Sequence, residues 1–422
     1  MTTRATFLRG EYAGYQGALD RLTIDEELTQ VGPGTPGGEY LRRFWHPIAF
    51  TANLEDVPVR TRVLGEDLAL FKDKSGRIGL LALNCSHRGT SLEFGIIQDR
   101  GIMCCYHGWV FDVNGKILET PGEPADSTLK DKLWHGAYPV QEYKGLIFTY
   151  MGPTEEQPQF PVYDSFDLDN YKLVPWGGNV LPCNWIQVKE NAMDPVHTSF
   201  LHSINFTGSF GVIPELDFRE NPLGMMYVGV RRIDGNVWVR STEMIMPNLH
   251  QLAPTFETGE VPKNFSRPMQ SIWAVPLDDT HTMNIGFNHY DEINPPDMDK
   301  FYMGTDFGQI PDRPYRDRQL LPGDYDAQVS LGETAVHARE HLGATDRGVS
   351  LFRRLVHQGI RDTADGQDPV PRAQRADGPI RTYAHDTIQP VPMQNDPEAE
   401  LAQLRSIGKQ VTDDVIAGRY AR

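Results

Sequence analysis

The chain has 422 residues, 39% hydrophobic and 10% aromatic, which is too long for one ordinary core and enough for two or three packed units. Its net charge of −17 argues against nucleic acid or an anionic membrane surface as partner, because phosphate groups attract cations. No apolar run reaches roughly eighteen residues, so no membrane span is expected. The segment Met1 to Arg9 lacks the apolar centre of a secretory signal, and Cys85, Cys104, Cys105 and Cys183 are too few for a secreted disulfide framework. Together these features predict a reducing cytoplasm.

Residues 15–30 carry polar and apolar residues at helical spacing, Gly32-Pro-Gly-Thr-Pro-Gly-Gly38 breaks the chain, and 39–45 predicts a second helical piece. These make an N-terminal helical segment, 1–47. Over 48–152 the texture changes to short strands, predicted at 59–64, 68–72, 78–84, 101–105, 110–111 and 146–150 and separated by turns such as Asn114-Gly115. A Pro-bearing linker, 153–161, opens a second unit that runs to 422. There the sequence predicts a helix from Trp185 to about His202. Strands follow between 225 and 287, with a hairpin turn at Asp234-Gly235 and another turn at Asp278-Asp279. One long helix is predicted from Asp324 toward Arg361, weakened or broken by Gly332, Gly343 and Gly348. A Pro/Asp/Gly-rich arm over 362–397 and a closing helix over 397–419 complete the chain. The fold class is α+β: a small β-domain followed by an antiparallel sheet carrying helices.

Two Cys/His pairs lie in the β-domain, Cys85-Ser-His87 and, sixteen residues on, Cys104-Cys-Tyr-His107. Two close pairs on separate loops can grip one inorganic centre. A two-iron cluster held by two Cys and two His carries less negative charge than one held by four Cys, so it accepts an electron more readily. Structural zinc also uses Cys2His2 sets, but usually pairs Cys with Cys and His with His, whereas each loop here offers one of each. Cys183 reads as a small buried hydrophobe.

A second set lies in Asn184-Trp-Ile-Gln-Val-Lys-Glu-Asn191-Ala-Met-Asp194-Pro-Val-His197-Thr-Ser-Phe-Leu-His202. Asn191, Asp194 and His197 recur every third residue and form one polar helical stripe. His197 and His202 are five apart and converge only if the helix widens or ends there, as at a π-bulge. Two neutral His and one carboxylate make a facial triad for Fe(II) that leaves positions open for O2 and substrate. A helix face of satisfied polar residues is the plain alternative for the stripe alone.

The segments from Cys85 and from Cys104 through Gly108-Trp109-Val-Phe-Asp112 closely resemble the Rieske motif, and the second stretch resembles the mononuclear-iron motif of Rieske non-haem iron oxygenases. The resemblance spans about residues 30–360. It implies a Rieske β-domain followed by a helix-grip catalytic domain. Cys85, His87, Cys104 and His107 would bind a [2Fe–2S] cluster, with Cys105 at a variable position packing beside it. His197 and His202 would bind Fe(II) with an Asp far downstream. Asp324 and Asp326 are the candidates, and Gln328 four residues on favours Asp324; a helix N-terminal acid is the plain reading of either.

Softer likenesses at 340–349 and 32–36 point to the phthalate dioxygenase and O-demethylase branch, built from α-subunits only. In this family the acid at Asp194, beside Asn191, joins a cluster histidine to an iron histidine. The contact crosses subunits in a head-to-tail ring, here a trimer, so His107 would meet Asp194 of the next copy. Electrons would come from NAD(P)H through a separate flavin/iron–sulfur reductase or ferredoxin. O2 would hydroxylate or demethylate a small aromatic substrate, carboxylated or methoxylated. Phe200, Ile204, Phe206, Met246, Asn248 and Trp273 are candidate pocket residues, each also explicable as core. Arg231, Arg232 or Arg240 could pair a substrate carboxylate or simply end a solvated strand. The competing function is a Rieske electron carrier without chemistry of its own, which would need no second motif.

Overall fold

A computed structural model describes residues 8, 10–15, 23–169, 171–203, 208–254, 258–291, 312–375 and 377–419. Part of the first predicted helix, residues 16–22, lies outside them; the described remainder forms α1 (Glu26–Thr29), capped by Asp25. Helix α2 (Pro36–Leu41) begins at Pro36 and is capped by Thr35, so the glycine-rich break itself supplies the helix start. It ends before Trp45, because Trp45–Phe50 leaves as strand β1.

Three small antiparallel sheets build the N-terminal unit. In the first, β1 pairs β11 (Leu146–Tyr150), which pairs β10 (Val140–Tyr143). A second runs through β2 (Val59–Val63), β3 (Glu66–Lys72), β4 (Ile78–Ala82) and β9 (Ala137–Tyr138). The third joins β5 (Ile96–Gln98), β6 (Gly101–Met103), β7 (Val110–Phe111) and β8 (Ile117–Glu119).

The C-terminal unit is built on one nine-stranded antiparallel sheet. Its main path is β12 (Tyr171–Leu181), β19 (His281–Asp291), β18 (Gln270–Asp278), β16 (Leu249–Leu252), β15 (Asn236–Ile245), β14 (Gly224–Ile233) and β13 (Glu215–Asn221). Strand β20 (Asp386–Pro390), from the arm, pairs with β15 and with β17 (Lys263–Ser266). The Asp234-Gly235 hairpin forms as predicted, with Asp234 at φ 49° and Ile233 opposite Asn236. One core crosses both units: the Trp273 ring of β18 meets the Phe148 ring of β11 edge-on at 5.5 Å.

The long helix predicted from Asp324 is two helices, α4 (Asp324–Val329) and α5 (Arg347–Ala364). The chain unwinds between them because its backbone holds another helix, α3 (Trp185–Ala192). Gln187 donates to the carbonyls of Gln328 (2.8 Å) and Gly332 (3.0 Å) and accepts from Ala335 N, while Asn184 N donates to Glu333 O. Gly348 does not break α5. A side chain there would stand 2.2 Å from the Met193 carbonyl, so glycine lets α5 press against the end of α3. The closing helix, α6, spans Pro397–Ile416. Among the described residues no helix is long and apolar enough to cross a membrane.

Helices α3 and α5 are tied by a buried ionic knot. Arg353 donates to Glu190 (2.5 Å) and, with both terminal nitrogens, to Glu340 (2.6 and 2.9 Å). With His337 these acids resemble a metal-binding group, but the guanidinium already occupies it. Burial pushes the Glu190 carboxyl up, and Arg353 opposes that. Removing one partner of a buried pair strands the other charge. Arg353→Met is therefore expected to cost about 3–5 kcal/mol of unfolding free energy, measured by denaturant titration.

Candidate functional site

The two Cys/His loops close alike. Gly89 N donates to the Cys85 carbonyl (2.8 Å) and Gly108 N to the Cys104 carbonyl (3.1 Å), and both glycines sit at positive φ, 78° and 73°. Each loop thus turns back on itself and presents its Cys and His on the same side. Cys85 and Cys104 are buried within the apolar cluster formed by Leu81, Leu92, Ile102, Trp109 and Phe111. His87 and His107 are half-buried, with ring centroids 4.6 Å apart. Trp109 stacks on His87 at 4.6 Å and 6°, fixing the ring plane. Thiols inside and imidazoles at the rim fit a two-iron cluster with its histidine side toward the exterior. Burial, then Cys104 beside it, push the Cys85 thiol up to about 11, so ligation there would release a proton. Cys105 is exposed.

The second site starts where α3 ends. Met193 closes the helix, and Pro195 has no N–H with which to continue it. Asp194 Oδ1 instead accepts from Val196 N at 2.9 Å, and the chain rewinds as a π-helical turn over Thr198–His202. The five-residue spacing needs that wider turn. His197 Nε2 and His202 Nε2 stand 3.2 Å apart. Asp324, from α4, puts Oδ1 3.7 Å from His197 Nε2 and Oδ2 3.4 Å from His202 Nε2.

A metal ion about 2.1 Å from each of three donors would hold them about 3.0–3.5 Å apart at 90–110°. Two of the observed separations, 3.2 and 3.4 Å, lie in that range and the third, 3.7 Å, is slightly wider, and two imidazoles with one carboxylate are the donor set of facial-triad iron. Burial pushes His202 down to about 4, against the pull of Asp324, so near neutral pH it is the uncharged imidazole that ligates. Asp326 points elsewhere: it pairs with Arg313 (2.7 Å) and Arg318 (2.5 Å) and caps Gly323 N.

Asp194 is half-buried and lies beside the same set, with Oδ2 3.9 Å from His197 Nδ1, which also contacts the Asp194 carbonyl. Asn191 is joined to α4, because Gln328 Nε2 donates to its Oδ1 at 3.0 Å. The role of Gln328 in tying the two helices is legible in sequence only as the residue one turn past Asp324. Lys189 carries no such signal in the sequence. It is buried on α3, with Nζ 2.7 Å from His250 Nδ1 and 2.8 Å from the Ile272 carbonyl, and no periodicity marks it.

Of the predicted pocket residues the structure brings three together, Met246, Asn248 and Trp273, and not at the triad. Ile204 and Phe206 lie outside the described residues, and Phe200 is exposed at 63%. Ala274 packs with Val188 of α3 and Tyr325 of α4, so Trp273, one residue away along β18, faces the opposite side of the sheet. There its ring meets Phe148, Phe166 and Phe287. Asn248 donates to His46 Nδ1 (3.2 Å) and the Ala274 carbonyl (2.8 Å). Met246, Asn248 and Trp273 line a small cavity between the two units, among Phe148, Phe160 and Gln374, with no triad residue in its wall. These three therefore line a cavity of their own rather than the wall of the triad.

Comparison with known proteins adds a family to this geometry. Residues 44–144 match the family model described as the Rieske [2Fe-2S] domain. The chain is 41% identical over 430 aligned positions to the tert-butanol monooxygenase / tert-amyl alcohol desaturase oxygenase subunit of Aquincola tertiaricarbonis, covering 95% of this chain and 90% of that one. It is 37% identical to the phenoxybenzoate dioxygenase subunit alpha of Ectopseudomonas oleovorans, over 82% of this chain and 87% of that one. Its fold matches the solved structure of NdmA from Pseudomonas putida CBB5 with caffeine at a TM-score of 0.64 and 19% identity, covering 82% and 98% of the two chains.

Proposed function

This chain belongs to the Rieske non-haem iron oxygenases as an oxygenase subunit, carrying a [2Fe–2S] cluster and a mononuclear iron, and from that premise we propose which residues do the work and on what. Cys85, His87, Cys104 and His107 hold the cluster. His197, His202 and Asp324 hold the iron, and Asp194 links the two centres. The observation that carries this reading is the convergence of two imidazoles and one carboxylate within 4.8 Å of one another on α4 and the π-turn. When bound, the iron supplies O2 activation. The chain's own share is to hold three donors on one face and leave the opposite face for substrate. Electron transfer without oxygenation needs no such triad, so the carrier alternative is set aside.

The oxygenase subunits of this family work with a separate reductase or ferredoxin. We assign the electrons to NAD(P)H, through a flavin/iron–sulfur reductase, and the assembly to a head-to-tail homotrimer in the cytoplasm. Two surfaces support the ring: the half-buried rim of His87 and His107, and half-buried Asp194. Within one chain His107 neighbours His87 and Tyr106, not Asp194.

The substrate we propose is a small aromatic, hydroxylated or demethylated at a position presented to the iron; the phenoxybenzoate relative supports it. A second reading, a compact saturated alcohol, is favoured by the relative named for tert-butanol. Purified protein is expected to hold about three irons per chain. With a reductase it should couple NADH oxidation to O2 uptake on one member of a panel of aromatic acids, methoxy-aromatics and tertiary alcohols, with formaldehyde scored beside hydroxylated product. About two irons and no substrate-dependent uptake across that panel would sink the oxygenase assignment.

A further inference from the structure

Adjacent strands β14 and β15 carry three arginines, and among the described residues one of them has a counter-ion. Arg232 pairs with Glu400 at 2.7 Å. Arg231 and Arg240 are more deeply buried, at 3% and 4% exposure, and neither has a carboxylate partner among the described residues. Arg231 donates to the Val212 carbonyl (2.9 Å) and Thr198 Oγ1 (3.0 Å). Arg240 donates to the Pro254 and Ala253 carbonyls (3.2 and 2.9 Å) and the Tyr227 hydroxyl (3.3 Å). All five acceptors are neutral. A guanidinium offers five N–H donors, so each retains some.

The two share one face of the sheet. Arg231 stands opposite Trp238, and Arg240 is two residues beyond Trp238 on the same strand. Both guanidiniums approach one ring, Phe210, at 5.3 and 5.4 Å from its centroid. That ring is 6.4 Å from the His202 imidazole, and Thr198, which Arg231 holds, begins the π-turn. Aromatic faces and carbonyls stabilise a cation but do not cancel its charge, and two like charges side by side raise the demand for an anion. Burial and then Arg240 lower the Arg231 pKa to about 10, the direction expected when the counter-ion is missing.

We propose that Arg231 and Arg240 form a fork that receives the carboxylate of an organic acid, holding it beside Phe210 with the rest of the molecule toward His197, His202 and Asp324. This rests on the oxygenase reading and narrows its substrate to a carboxylate-bearing one. A saturated alcohol would leave both charges uncompensated.

Benzoate and its neutral isostere benzamide are the probes, titrated calorimetrically into the iron-loaded protein. Benzoate is expected to bind at least about tenfold more tightly than benzamide, the scale of a charge-assisted hydrogen bond. R231Q and R240Q should each lose most of that preference while keeping benzamide affinity and iron content. Equal binding of the two probes by the natural protein overturns the fork, as does an unchanged preference in both variants. Should either Gln variant fail to fold, R231K and R240K keep the charge but lose the two-pronged geometry. A reduced preference in them upholds the fork and an undiminished one overturns it. The two layers fail separately. Protein with about three irons that oxidises a neutral substrate and treats the probes alike loses the fork and keeps the oxygenase assignment. Benzoate selectivity in protein lacking the third iron does the reverse.

Discussion

Asp324→Asn is expected to empty the mononuclear site and leave the cluster in place. Iron should fall from about three to about two per chain, the cluster's visible and EPR spectra should be unchanged, and turnover should drop by at least about a hundredfold. Changes to groups that merely support a ligand already cost 10–100-fold in affinity or activity, and Asp324 is the only carboxylate that the described residues bring within 4 Å of both His197 and His202. An amide cannot replace the lost charge. Asp326→Asn is the matched control on the same helix. It breaks the pairs with Arg313 and Arg318, so thermal stability should fall while iron stays at about three. Iron lost from Asp326→Asn and retained in Asp324→Asn would exchange the roles of the two acids.

That distinction shows how far sequence could go. Spacing marks His197 and His202 and even demands the π-turn, because five residues on an ordinary helix would point the rings apart. It favours Asp324 over Asp326 only through Gln328 four residues on, because both are acids in the first turn of one helix. What separates them is the pair of arginines 13 and 8 residues upstream that claim Asp326. The hairpin at Asp234-Gly235 was legible because its turn is local. The interruption between α4 and α5 was not, because its cause is remote: residues 328–335 give backbone groups to Gln187 and Asn184, about 140–150 positions away in sequence.

The pocket was least legible. Strands β14, β15 and β18 are buried almost throughout, so apolar and polar residues do not alternate in a way that tells one face from the other. Trp273 lies on a strand that could face the iron helix, but its ring turns to the other side of the sheet, onto Phe148. The same burial gives Arg231 and Arg240 their significance, and a sequence cannot distinguish them from Arg232, whose partner is 168 residues downstream.

Asp194→Asn is expected to separate electron arrival from electron use. The asparagine side chain keeps an oxygen at the Oδ1 position, so the bond from Val196 N that seats the π-turn survives, and so should His197 and His202 as ligands. What disappears is the negative charge beside the His197 ring, 3.9 Å from Nδ1. In the proposed ring that charge also receives the imidazole of His107 of the partner subunit, and charge-assisted bonds are about twice as strong as neutral ones. The variant should hold about three irons, and a reductase should reduce its cluster at the natural rate. Reoxidation of that cluster in the presence of substrate and O2 should slow by at least about a hundredfold, followed by stopped-flow absorbance. Asp194→Ala removes the Val196 bond as well and should additionally lose mononuclear iron. If Asp194→Asn reoxidised at the natural rate with product still coupled to NADH, Asp194 would be a helix-capping acid and the electron would need another route between subunits.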